Sequence, residues 1–301
     1  MKIRALLPLL LIYTNISSGE NRIGFGGLLN HGRDNLSTLG TGYIQTLNIT
    51  KDTFTNLMPI GEFYLEKRVD RHIYYGGVFP KRDFFAITLG IKEKTSKTES
   101  NDFFYIFNPF RSVWDDPLLT GVERKATNQR EIGAGVMLDR RHFSLNTIAV
   151  YSDVERDKLG ERIPELKRDG YRVENRLYLN SRLSENIFFK PGITLENFFS
   201  KGDANSYDSI GLSFNLVYRK KDYIIVSFLN SEFQRYRETD PVFRKRREEV
   251  NTTLFTILTK REVFLKQTYI SGIAGYNLRK SNIDFYDADR LFLAFLTGYS
   301  F

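Results

Sequence analysis

The feature that most constrains this chain is a two-residue alternation of apolar and polar side chains that runs much longer than in ordinary strands. Between Ser206 and Arg219, the residues Ile210, Leu212, Phe214, Leu216 and Tyr218 share one parity. Gly211, Ser213, Asn215 and Arg219 share the other, with Val217 as the apolar exception. Tyr171–Leu183 sets Tyr171, Val173, Leu177, Leu179 and Leu183 against Arg172, Glu174, Arg176, Asn180 and Arg182. Ile187–Phe199 sets Ile187, Phe189, Ile193, Leu195 and Phe199 against Lys190, Thr194 and Glu196. Successive side chains on a strand point to opposite faces, so each segment is a ribbon with one apolar and one polar face. A soluble sandwich also uses such ribbons, but its strands average ~5–6 residues. These segments cover the ~9–11 residues that a tilted strand needs to cross a bilayer, and run beyond them.

The connections add an independent regularity. Short links at Val69–Arg71, Asp139–Arg141, Ser184–Asn186, Lys220–Asp222 and Lys260–Glu262 alternate with longer polar stretches at about 111–128, 156–167, 200–206, 237–247 and 280–287. Short turns at one end and longer loops at the other are the habit of bacterial outer-membrane barrels. Mean hydropathy is −0.35, and 27% of residues are charged while 14% are aromatic. That balance excludes a helical membrane protein and suits strands with one lipid face and one wet face. The N-terminus reads as a secretory signal peptide over Met1 to Gly19. Lys2 and Arg4 precede a short apolar core, and Ser17, Ser18 and Gly19 suit the peptidase. The absence of cysteine excludes disulfides and a lipid-modified N-terminus.

These observations predict an all-β fold: a transmembrane, antiparallel, up-and-down barrel over residues 20–301, in the bacterial outer membrane. The expected strands are 22–29, 60–68, 72–78, 84–93, 102–109, 130–138, 142–155, 169–183, 187–199, 206–219, 223–236, 248–259, 263–279 and 288–301. That is about fourteen, within a range of about twelve to sixteen. Residues 41–49 either add a strand or belong to a long external loop. In lipid every backbone polar group must pair, so the last strand is expected to close on the first. Tyr299 and Phe301 end that last strand in an aromatic pattern that resembles the signal read by the barrel assembly machinery.

Three stretches carry a family resemblance: Trp114-Asp115-Asp116-Pro117-Leu118-Leu119-Thr120-Gly121, Asp240-Pro241-Val242-Phe243-Arg244-Lys245-Arg246-Arg247-Glu248, and Ser281-Asn282-Ile283-Asp284-Phe285-Tyr286-Asp287-Ala288-Asp289. With them the chain, from about Arg22 to Phe301, resembles a family of uncharacterised proteobacterial outer-membrane barrels known as a domain of unknown function. The resemblance implies one barrel domain and no particular activity. The two C-terminal motifs are also similar to the barrel of the surface-lipoprotein assembly modulators, in which a helical-repeat domain precedes the barrel; these 301 residues hold no counterpart of that domain.

For chemistry the chain offers three histidines, His31, His72 and His142. Only His31, beside Asp34 and Ser37, is expected on the external side, and a solvated loop residue is the plainer reading. No phosphate loop, zinc motif or cofactor motif is present, so no enzyme and no cofactor are expected. Asp115-Asp116, and Asp284 with Asp287 and Asp289, have the residue type for a cation, although such residues more commonly start turns. Arg244, Lys245, Arg246 and Arg247 form a run suited to lipopolysaccharide phosphates. Arg172, Glu174, Arg176, Arg182, Lys190, Glu196, Asn215 and Arg219, with Glu62 and Glu66, are expected to line the lumen. The formal charge of +8 is expected to meet anionic lipid rather than nucleic acid. The leading expectation is a passive pore or transporter for small solutes, leaning towards anions, with a narrow or loop-plugged lumen. A non-conducting structural or surface-interaction barrel is the alternative, and a lipid-modifying enzyme comes third.

Overall fold

The computed structural model describes residues 21–301 apart from 49–51, 82–83 and 97; the expected leader, Met1 to Gly19, lies outside the described residues. The alternating segments fold as fourteen antiparallel strands. They are β1 (Arg22–Asp34), β2 (Thr53–Val69), β3 (His72–Lys81), β4 (Phe84–Lys94), β5 (Ser100–Trp114), β6 (Ala126–Asp139) and β7 (Phe143–Val154). Then come β8 (Gly170–Leu179, resumed at Ser181–Arg182), β9 (Ile187–Ser200), β10 (Tyr207–Lys220), β11 (Tyr223–Asp240), β12 (Lys245–Arg261), β13 (Thr268–Ser281) and β14 (Ala288–Ser300). Each strand pairs with its chain neighbours. The last closes on the first, from Arg22 opposite Ser300 to Asp34 opposite Ala288. The cylinder therefore has no open edge, as spanning a bilayer requires.

With an even strand count Asn21 and Phe301, the two ends of the described chain, lie at one end of the barrel, together with the turns after Val69, Lys94, Asp139, Arg182, Lys220 and Arg261. The longer connections 35–52, 115–125, 155–169, 201–206 and 282–287 lie at the other end, which is the external end by the habit of such barrels. The alternation of lengths fails at β3–β4, where only two residues separate Lys81 from Phe84.

Several boundaries differ from the sequence reading; β1 runs on to Asp34, β5 to Trp114, and β6 starts at Ala126. Strand β2 starts at Thr53, and of the stretch 41–49 the described residues, 41–48, add no strand; Tyr43 makes only an isolated bridge to Glu123. The expected loop 237–247 shrinks to a turn at 241–244, because the Asp240 carboxylate accepts from the Val242 and Phe243 N–H groups and Arg244 adopts φ +52°. Strand β13 starts at Thr268 rather than 263. The hydroxyl of Thr268 gathers the N–H groups of Phe264 and Leu265 into a wider turn, with Glu262 and Gln267 at positive φ. Strand β5 carries a bulge between Asn108 and Arg111, around Pro109, which has no N–H to give the ladder.

A broad band of the outer face is apolar. Leu57, Tyr105 and Phe110 are 74, 71 and 71% exposed, and Phe25, Ile132, Leu179, Leu212 and Phe295 continue the same band. So much contiguous grease has no stable place in water and defines a lipid-facing surface.

Candidate functional site

The inner face is built in two layers. Towards the short-turn end the wall is apolar, which the sequence reading had assigned to the outer face. Ile224, Val226 and Phe228 of β11, Phe255 and Ile257 of β12, and Leu296 of β14 point inward, joined by Leu28, Ile60 and Phe292. Val217, the exception on the polar parity of β10, packs against them. A second apolar patch joins Tyr64, Tyr75, Phe104, Ile106, Met137, Ile148 and Val150. Phe228 and Phe255 are each 1% exposed, with ring centroids 5.2 Å apart, so no film of water runs along this part of the wall. Glycines on neighbouring strands make room for inward rings: Gly90 sits opposite Tyr75, Gly135 opposite Phe104, and Gly275 opposite Phe292.

Towards the external end the same strands turn charged residues inward. Arg176 pairs with Glu174 at 2.8 Å, and Arg279 and Arg290 share Asp34 at 3.1 Å each. Arg247 faces Glu249 at 3.6 Å and Arg111 faces Glu131 at 4.0 Å. Charges so buried persist because opposite charges and hydrogen bonds meet them. Of the expected lumen residues, Arg172, Glu174, Arg176, Glu196 and Asn215 are buried in this wall, and Lys190 is half-buried. Arg182 and Arg219 lie instead at the exposed short-turn rim. There Arg182 donates to the carbonyls of Ser184 and Glu185, because the turn offers acceptors that water would otherwise supply. Glu62 is buried and accepts from Tyr269, and Glu66 accepts from Tyr64 at 3.0 Å.

The basic run divides. Arg244, Lys245 and Arg246 are exposed at the tip of the β11–β12 hairpin, whereas Arg247 is 6% exposed and points into the barrel. It lies over the rings of Tyr236 and Tyr286, 3.5 and 4.0 Å from their centroids. Arg247 therefore lies inside, not on the surface facing lipopolysaccharide. The reason is parity: Arg247 belongs to the inward set of β12 with Glu249, Thr253, Phe255 and Ile257.

The external loops converge. Ile44, Leu118, Leu159, Leu166, Ala204, Ile283, Phe285 and Tyr286 form one buried apolar cluster, with Leu36, Leu47, Ile163, Val242 and Phe243 packed against it. These residues come from six connections, so their common core lies over the mouth of the barrel and caps it. The three motifs that carried the family resemblance meet here. Asp116 binds Arg162 of the short helix α1 (Lys158–Arg162) at 2.8 Å, and Asp115 faces Lys158 at 3.3 Å. Arg168 donates to the Trp114 carbonyl at 2.7 Å, and Tyr286 donates to Asp240 at 2.8 Å. Burial raises the Tyr286 phenol above its ordinary range and also raises the Asp52 carboxyl, while burial lowers the Arg124 guanidinium stacked on Trp114.

Of the acidic residues considered for a cation, Asp284 is exposed and the other four are held by neighbours. Asp115 and Asp116 take the pairs above, Asp287 takes Lys280 at 2.9 Å, and Asp289 takes Arg33 at 2.9 Å. His31 and Asp34 point to opposite faces of β1: His31 meets Thr55 outside, and Asp34 is 1% exposed inside. They form no catalytic pair. Tyr299 and Phe301 stack on the outer face at the short-turn end.

Between the cap and the charged wall lies a cavity of about 150 Å3. Its wall includes Arg111, Arg172, Arg247 and Arg279, Glu131 and Glu249, and the rings of Trp114, Phe198, Tyr207, Tyr236 and Tyr286. Sequence reasoning missed Arg111, Arg279, Glu131 and Glu249 because they sit where strands run into loops. Extending the two-residue period from strand interiors finds Glu131, Glu249 and Arg279, but not Arg111, because the bulge after Asn108 shifts the parity of β5.

A cylinder greasy outside, charged within and closed without an edge belongs in a lipid bilayer, and with its end-to-end asymmetry the protein is an outer-membrane β-barrel of a bacterium. It is a member of the family described as "Protein of unknown function (DUF2860)", which matches residues 20–300. Among curated proteins none matches the sequence. Several solved structures are similar to this chain. A FadL homologue of Pseudomonas aeruginosa superposes with a TM-score of 0.49 at 10% identity, covering 93% of this chain and 90% of that one. The outer membrane channel DcaP of Acinetobacter baumannii gives 0.45 at 10% identity, covering 94 and 97%. The CymD monoaromatic hydrocarbon channel gives 0.46 at 10% identity, covering 100 and 94%.

Proposed function

We propose that the barrel is a passage for small solutes, shut at rest by its loop cap and leaning towards anions. The cavity beneath the cap is the observation that supports this reading. A solute entering from outside crosses it, and five arginines (Arg111, Arg168, Arg172, Arg247 and Arg279) against two glutamates line it together with aromatic rings. Cations fixed in a low-dielectric wall raise the local concentration of anions and exclude like charges. The passage then requires the cap to move. Replacing residues 158–166 with a short Gly-Ser linker removes α1, Leu159 and Leu166 from the cap core. In planar bilayers this variant is expected to conduct steadily, at least about tenfold above the parent, with anion selectivity.

The packed apolar lower wall favours a second reading, a structural barrel whose cap is a surface for interaction. Silence of the shortened-loop variant would support that reading and contradict the first.

We also propose that the exposed Arg244, Lys245 and Arg246 meet lipopolysaccharide phosphates, for which arginine forks are suited. Changing the three to serine is expected to lower lipopolysaccharide retained on the purified barrel by severalfold. Unchanged retention would show them to be merely solvated.

A further inference from the structure

We propose that the cavity beneath the cap binds a small carboxylate that carries a compact apolar or aromatic body. This inference rests on the passage reading and names the class of solute that would pause there. Size is the first argument. The cavity measures about 150 Å3, and an interior space of ~150 Å3 holds one benzene-sized molecule.

A charged donor on its wall is the second argument. Arg172 is 9% exposed, borders the cavity and has no hydrogen-bond partner among the described residues. Glu196, Glu131 and Glu174 face it as counter-charges, yet each is bonded by another residue: Glu196 by Tyr207, Glu131 by Asn108 at 2.7 Å, and Glu174 by Arg176 at 2.8 Å. Trp114 also borders the cavity. A buried donor without an acceptor is costly, and a ligand oxygen removes that cost with a charge-assisted bond.

The third argument is the rest of the wall. Phe198, Tyr207, Tyr236 and Tyr286 offer ring faces and edges to an apolar body, and Arg247 clamps the last two rings in place. An inorganic anion would leave those rings uncovered, and a neutral aromatic would leave Arg172 without an acceptor.

The test uses the full chain in detergent micelles, titrated calorimetrically with benzoate, benzamide and acetate at fixed ionic strength. The single tryptophan of the chain, Trp114, supplies a parallel fluorescence signal. Benzoate is expected to saturate one site per barrel and shift Trp114 emission, with benzamide and acetate at least tenfold weaker. Arg172→Gln is expected to weaken benzoate at least tenfold, and Arg182→Gln, at the far rim, to leave it unchanged. Should Arg172→Gln fail to fold, Val150→Phe fills the cavity without touching a charge and is expected to lose benzoate equally. Absence of saturable benzoate binding by the parent, or binding indifferent to these cavity substitutions, would overturn the proposal. Benzoate flux into liposomes separates the two readings. Binding without flux keeps the site and removes the passage, while flux without saturable binding keeps the passage and removes the site.

Discussion

Gly298→Val is expected to abolish the folded barrel. Gly298 of β14 lies opposite Gly24 of β1 and Tyr269 of β13. The Tyr269 ring lies over both glycines, and its hydroxyl donates to Glu62 of β2. One side chain therefore spans four strands across the closing seam. A Cβ at 298 would strike the Tyr269 hydroxyl and lie 2.5 Å from the Ile23 carbonyl oxygen. Overpacking alone costs ~1–3 kcal/mol. Here the backbone cannot yield without opening the β14–β1 ladder, and an open edge in lipid leaves a row of unpaired groups. Folding into lipid vesicles, read as the heat-modifiable band on a gel, is expected to fall at least tenfold. Adding Tyr269→Ala removes one of the two collisions and is expected to restore part of the yield. Parental folding of Gly298→Val would show that the seam is not built this way.

The second large effect is expected at Asp34. Its two oxygens hold Arg279 and Arg290 at 3.1 Å each, and all three side chains are at most 7% exposed. Asp34→Ala leaves two buried guanidinium groups short of their counter-charge, which costs ~3–5 kcal/mol. The same carboxylate accepts from the Leu36 N–H at 2.9 Å, and Arg279 donates to the Tyr286 carbonyl. Its loss therefore also loosens the cap from the wall. The contrast is Arg33–Asp289, whose arginine is 57% exposed; an exposed pair contributes ~0–1 kcal/mol, so Asp289→Ala is expected to stay near parental stability. Urea titrations in vesicles separate the two, and equal losses would contradict this account of the charged wall.

The strands were legible because a lipid face and a wet face impose opposite polarities on successive residues. Ile210 to Tyr218 on β10 and Tyr171 to Leu179 on β8 show that signal cleanly. It faded where both faces are apolar. Ile224, Ile225 and Val226, like Phe103 and Phe104, are runs in which parity carries no polarity difference, and so the inner apolar wall was not anticipated. The cap was hidden for another reason. Asp-Pro and Asn-rich stretches announce turns, and that local chemistry masks the Val242-Phe243 and Phe285-Tyr286 pairs beside them, whose partners lie in other loops. Arg247 was drawn to the surface by its basic neighbours, although the period of β12 places it inside. In each case the missing information was which distant segment supplies the contact, and one strand's pattern does not hold it.

The loops meet over the mouth, and the single tryptophan tests this directly. Trp114 is 5% exposed beneath the cap. Acrylamide quenching of the protein in lipid vesicles is predicted to be weak, several times below that of the urea-unfolded chain, and to rise when residues 158–166 are replaced by the linker. Quenching of the folded parent as strong as that of the unfolded chain would mean that the mouth stands open and the cap does not form.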